Sequence, residues 1–238
     1  VKQQLSVIDA RVLPMSVFVD FPRVFKGAIV ALDNLSNTIV STVAFQYNPE
    51  KLTRTLNIRA DNNDQNARTE ALRLQGAPTE TINFSEVEID ATDQLEKDDQ
   101  SIKDYGIYPQ LSALEVLVYP KSLQVKRKMD NARQGNVEIV PFEAPLTLLV
   151  WGENRVVPGR LTDLTIDETA FDVKLNPIRA KIQFGFRVLS YDDLPWDQRG
   201  AKLFLKYHEK KEQLANLSSG GDRTQITGVN VSRTLSEL

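Results

Sequence analysis

The stretch that most limits how this chain can fold is residues 177–189, PIRAKIQFGFRVL. Ile178, Ala180, Ile182, Phe184, Phe186 and Val188 fall on every second position, with Arg179, Lys181, Gln183, Gly185 and Arg187 between them. A helix cannot gather such a set on one side, whereas a strand with one covered face needs it. At ~3.3 Å per residue the segment extends roughly 36 Å, about twice an ordinary strand. Burying each large apolar side chain contributes at most ~1.5–3 kcal/mol, and ordering the backbone costs about 1–2 kcal/mol per residue. The two nearly cancel. The strand must therefore be paired along both edges and covered on one face by the rest of the chain.

Further strand signals lie on both sides of it. Residues 5–13 and 15–19 carry patchy β patterns, broken by Pro14. Residues 27–32 read as a strand or short buried segment, and residues 38–46, TIVSTVAFQ, as a β-branched strand ended by Asn48-Pro49. Residues 81–90 alternate with a slip of phase near Glu86, which predicts a bulge. From Pro145 the β signal is nearly continuous: residues 145–151 form a strand, Gly152-Glu153-Asn154 a turn, and residues 155–161 a strand interrupted by Pro158-Gly159. Strands so close in sequence favour an antiparallel meander.

Helical spacing occurs twice. Leu111, Leu114, Leu117 and Val118 share a face in a helix that Pro120 stops. In residues 198–217, Leu203, Tyr207, Leu214 and Leu217 form one stripe among lysines, an amphipathic helix that either packs on its own sheet or docks on a neighbour. Residues 60–78 and 121–136 read as polar surface insertions, and residues 93–104 as an acidic, polar segment. The organisation expected is a β domain over residues 1–195, a helical arm at 196–217 and a flexible or docking tail at 218–238.

The material for catalysis is sparse. There is one histidine and no cysteine, which excludes disulfides and thiolate metal sites. His208 lies among lysines, in the pattern of a surface residue, and no phosphate loop, Gly-x-Ser-x-Gly or His-Glu-x-x-His sequence is present. The acidic set around Glu86, Glu88, Asp90 and Asp93 lacks calcium-loop spacing and reads as a solvated face. Without sugar-stacking aromatics beside Glu88 and Asp90, a carbohydrate-active enzyme is the weakest of the functional readings. A formal net charge of −3 gives no nucleic-acid footprint. Lys126-Arg127-Lys128 reads as a charged loop, with contact to an acidic partner as the sharper alternative. No apolar run is long enough for a membrane helix, and the first residues lack the apolar core of a signal peptide. No cofactor or metal is expected.

Three segments together resemble one family: FQYNPEKL (45–52), YGIYPQLSALEVLVYP (105–120) and the run from Pro145 to Leu194. The chain is similar to the tube-like baseplate proteins of contractile injection systems, relatives of phage tails. The matching positions are Phe45, Tyr47, Asn48 and Pro49, then Trp151 and Gly152, then Leu175, Asn176, Pro177 and Ala180. The resemblance implies a mainly β fold with minor α: an antiparallel β-sandwich or split barrel with a side helix and a C-terminal helix. It implies a structural protein, a ring of six copies between spike and inner tube that initiates tube assembly. Its partners would be the spike or hub, the inner tube protein and other baseplate subunits. Its place would be a phage-tail-like particle, cytoplasmic when assembled, without nucleic acid or membrane insertion. A cargo-binding module of the same particle is the alternative. Many relatives carry a LysM module. Here Asp222-Arg223-Thr224 only faintly echoes its signature, so the helix and tail would make the contact instead. Leu203, Tyr207 and Leu214 are the residues of that arm expected at an interface.

Overall fold

The computed structural model describes residues 26–33, 38–60, 73–97, 99–135, 142 and 144–218. The strand signals before residue 20, most of the first polar insertion and the tail after Ser218 lie outside the described residues. Seven strands form one antiparallel sheet: β1 (Ala28–Leu32), β2 (Ile39–Ala44), β3 (Leu52–Asn57), β4 (Thr79–Asp90), β5 (Leu146–Val150), β6 (Val156–Phe171) and β7 (Pro177–Val188). Their order is β2-β1-β5-β6-β7-β4-β3. It is a single open sheet with helices rather than two stacked sheets, and the mainly β class with minor α holds.

Strand β7 is the alternating segment, and it lies between β6 and β4 as its energetics demand. Ala180, Ile182, Phe184, Phe186 and Val188 are buried, while Lys181 and Gln183 face water. The phase slip in β4 is a register shift between Phe84 and Val87. The shift absorbs Ser85 and Glu86, so that Ile82, Phe84, Val87 and Ile89 all stay buried. A second shift, between Leu161 and Asp163 in β6, lays Thr162 and Asp163 over Gly185. A Cβ at Gly185 would come within 2.3 Å of the Asp163 carboxylate, so this crossing requires glycine.

Three expectations are corrected. Pro158-Gly159 does not interrupt a strand, because β6 runs through both residues. The Pro158 carbonyl accepts from the Leu189 N–H at 2.9 Å, and within a strand a residue's N–H points the same way as its C=O. The donor that proline lacks therefore falls at the end of the β7 ladder, where none is required. Residues 121–136 are not a loop. Ser122–Arg133 form helix α4, built from straight-chain residues of good helix propensity and ended by Gly135 at φ 83°. The acidic segment also folds into two short helices, α1 (Thr92–Glu96) and α2 (Gln100–Tyr105), the second capped by Asp99, whose carboxylate accepts from the Ser101 N–H at 2.9 Å. Strand β3 had no counterpart in the sequence reading, because its TRT core carries little apolar signal.

The remaining helices cover the sheet. Helix α3 (Tyr108–Glu115) buries Leu111 and Leu114, with Leu117 beyond its end, as the spacing predicts, although Val118 is exposed. Helix α5 (Arg199–Ser218) starts where Gly200 packs on Leu146 and Leu194, and reaches Glu80 through Tyr207 and Lys211. It thus crosses from β5 to β4.

Candidate assembly surfaces

The family-like residues fall into three groups. Phe45 leaves β2 at one edge of the sheet, yet its ring meets Phe84 of β4 at 5.7 Å, Phe184 of β7 at 5.9 Å and Trp151 at 6.2 Å. Phe84 and Phe184 stack at 4.5 Å in the middle. The sheet is therefore curled, so that the exit of one edge lies over the opposite half. Gln46 fastens this crossing: its side-chain amide donates to the Asp90 carbonyl and accepts from the Asp90 N–H at 2.9 Å, as a strand partner would. Asn48 accepts from the Gly27 N–H at 2.9 Å, and Gly27 has no room for a side chain beneath the Trp151 ring, 2.6 Å from an ideal Cβ. Gly152, at φ 72°, turns the chain after Trp151. Pro49 is half-buried and Tyr47 is exposed. Phe45, Asn48 and Trp151 thus build the core junction.

The second group holds the turn between β6 and β7. The Asp172 carboxylate accepts from the N–H groups of Lys174 (2.7 Å) and Asn176 (2.8 Å) and from the Asn176 amide (2.9 Å). Desolvation acts to raise its pKa, but these donors outweigh it and hold the carboxyl below its ordinary value. Among the described residues Ala170 and Leu175 are the non-glycine residues at positive φ, and they bracket this turn. Asn176 also donates to the Asp104 carbonyl, and the buried Pro177 accepts from the Ile107 N–H at 2.9 Å. The tip so braced presents Phe171, Val173 and Leu175 to solvent, Val173 fully.

The third group is on α5. Tyr207 is buried and bonded to Arg54 at 3.1 Å, Leu203 is half-buried, and Leu214 and Leu217 are exposed. The buried face is Gly200, Ala201, Phe204 and Tyr207, so the predicted stripe was right at Tyr207 and misplaced elsewhere. The residue that sequence reasoning missed is Glu80, only 2% exposed. Its carboxylate accepts from Arg54 at 2.7 Å and from Lys211 at 3.1 Å, which joins β3, β4 and α5. Its phase with Ile82 and Phe84 was the available signal.

Among the described residues, the two edge strands of the sheet, β2 and β3, pair with no further strand. Strand β2 exposes Ile39 and Val40, and β3 exposes Leu56, with Ile58 just beyond it. Open edges with apolar side chains are surfaces for pairing with another chain. Among the described residues no cluster of His, Cys, Asp and Glu fit to hold a metal ion occurs, and no helix is long and apolar enough to cross a membrane.

A curled antiparallel sheet with a packed aromatic junction, a braced hairpin and edge strands unpaired among the described residues has the make-up of a structural, assembly-type module. The chain belongs to the contractile injection system tube protein family, whose model matches residues 26–193. It is therefore a structural component of a phage-tail-like particle that assembles with other particle components. No curated protein matches the sequence.

Proposed function

We propose that this chain is a baseplate adaptor that forms a homo-hexameric ring between the spike or hub and the inner tube, and starts tube assembly there. The observation that carries this reading is the curled sheet whose edge strands, β2 and β3, are unpaired among the described residues, in a member of a tube family. A contact between unlike edges, repeated around an axis, builds a ring when its rotation closes. The apolar face of the sheet is covered by the chain itself, and the other face, with Lys181 and Gln183, is polar enough to line a lumen. One rim of the ring packs on the spike and the opposite rim templates the first tube ring. Helix α5 and the residues after it supply contacts to other baseplate subunits, with Leu203 and Leu214 at the edge of the docked surface.

The test is co-expression of the chain with the spike and tube proteins of its particle, followed by electron microscopy of the purified complexes. The expected result is a ring of this chain between spike and tube, with no ordered tube when it is omitted. Tubes that start on the spike without it would overturn the adaptor role. Copies distributed along the whole tube would make it a tube subunit instead.

A further inference from the structure

Helix α4 is the element that the packing of the domain leaves unexplained. None of its residues is buried. Val125, Lys128 and Asn131 are half-buried, and Lys128 Nζ lies 4.6 Å from the centre of the Phe142 ring. The opposite face carries Leu123, Lys126, Arg127, Asp130 and Arg133 at helical spacing, all exposed. Arg133 reaches Asp130 within the helix, and among the described residues Lys126 and Arg127 make no ion pair. A helix of this length is marginal in water by itself, so a surface to lie on stabilises it.

The complementary surface is on the same chain and out of its reach. In the α1–α2 segment Asp93 and Glu96 are exposed and make no ion pair among the described residues. Nearby acids are already engaged, Asp90 with Arg179 at 2.6 Å and Asp104 with Lys174 at 3.6 Å. The basic face of α4 meets none of them. The topology accounts for this. Helix α1 leaves β4 at Asp90, which Gln46 holds at the open end of the β1–β2 hairpin, whereas the base of α4 is tied by Lys121 to Asp33, at the turn end of that hairpin, at 3.1 Å. Opposite charges thus start from opposite ends of one hairpin, and two distinct surfaces of this kind suit a contact between unlike surfaces of successive copies.

We propose that the exposed face of α4 docks on the α1–α2 surface of the neighbouring copy, with Lys126 and Arg127 facing Asp93 and Glu96. This rests on the ring reading and names its lateral contact. A protein partner fits better than nucleic acid, because the chain as a whole is acidic, with a formal net charge of −3. Exposed ion pairs are individually weak, so the contact sets direction and register more than total affinity, and it weakens as salt rises.

The experiment is mass photometry and negative-stain microscopy of the full chain at low and high salt. It compares wild type, the K126E/R127E variant, the D93K/E96K variant and the chain carrying all four changes. Both double variants should keep the wild-type circular dichroism melt and lose about tenfold or more in self-association. The fourfold variant should regain it. Rings that form equally well from both double variants would overturn the contact and leave the ring standing. A wild type that stays monomeric in every condition and in the particle would overturn both. Binding of double-stranded DNA that K126E/R127E abolishes without touching self-association would also overturn it.

Discussion

Helices α4 and α5 are similar in composition and opposite in circumstance. Both are lysine-rich, yet α5 buries Gly200, Ala201, Phe204 and Tyr207 while α4 buries nothing. The difference does not come from the charged residues, which both have in quantity. It comes from two aromatic rings at a three-residue spacing and from a buried carboxylate that waits for them. Phe204 packs edge-on to Tyr191 at 5.5 Å, and Glu80 takes Lys211 and Arg54 around the Tyr207 hydroxyl. A helix is fixed to a domain by its apolar face, and ionic contacts then choose its orientation. Helix α4 has the charges without the face. In this chain Lys126 and Arg127 face outward and make no ion pair among the described residues, whereas Lys211 is spent on the fold.

Breaking the docking of α5 should produce the largest effect. Phe204→Ala removes a buried ring and is expected to cost ~3–5 kcal/mol in a denaturant titration. A loss below about 1 kcal/mol would mean that α5 is not held by its apolar face. Glu80→Gln keeps the shape but removes the charge between Arg54 and Lys211. Both cations are partly exposed and recover some hydration, so the expected loss is nearer ~2 kcal/mol than the full cost of breaking a buried pair. An unchanged midpoint would show that the carboxylate is dispensable to the docked helix. In α4 the parallel change is Arg127→Gly, which weakens the helix alone. It should lower helicity by circular dichroism and cost at most ~1 kcal/mol. A loss as large as that of Phe204→Ala would show α4 to be part of the core after all.

The same contrast explains what could be read from the sequence. The β7 strand was legible because one face is buried along its length, so that its chemistry repeats every second residue. The bulge near Glu86 was legible for the same reason, since Ile82 and Phe84 fall out of phase with Val87 and Ile89. Helix α5 was found through its apolar residues, but Leu214 and Leu217 drew the stripe away from Phe204 because exposed leucines look like buried ones in a sequence. Helix α4 reads as a loop in the sequence because it has no apolar period to betray it. Strand β3 was missed because an edge strand that is largely exposed keeps no alternation. The family-like residues were legible as a pattern. Their main work, however, is packing and turn-holding at Phe45, Asn48, Trp151, Gly152, Asn176 and Pro177. The clamp at Glu80 requires knowing that β3, β4 and α5 converge, which no local pattern contains.

The smallest effect concerns a charge anchored in the sheet. Desolvation acts to raise the pKa of Asp90. The Thr92 hydroxyl and N–H and the Arg179 guanidinium, 2.6 Å away, outweigh it and hold the carboxyl below its ordinary value. A carboxylate with a depressed pKa stabilises the fold above the unfolded value of about 3.9, and that stabilisation is lost as pH falls through the folded pKa. The unfolded chain takes up the proton first, so stability declines from about pH 5 downward. Asp90→Asn should therefore lower stability modestly at pH 7 and flatten the acid limb of a stability-against-pH curve. An acid limb as steep in Asp90→Asn as in the wild type would show that Thr92 and Arg179 do not hold this carboxylate, and that the Asp90–Arg179 pair contributes nothing to the junction of β4 with β7.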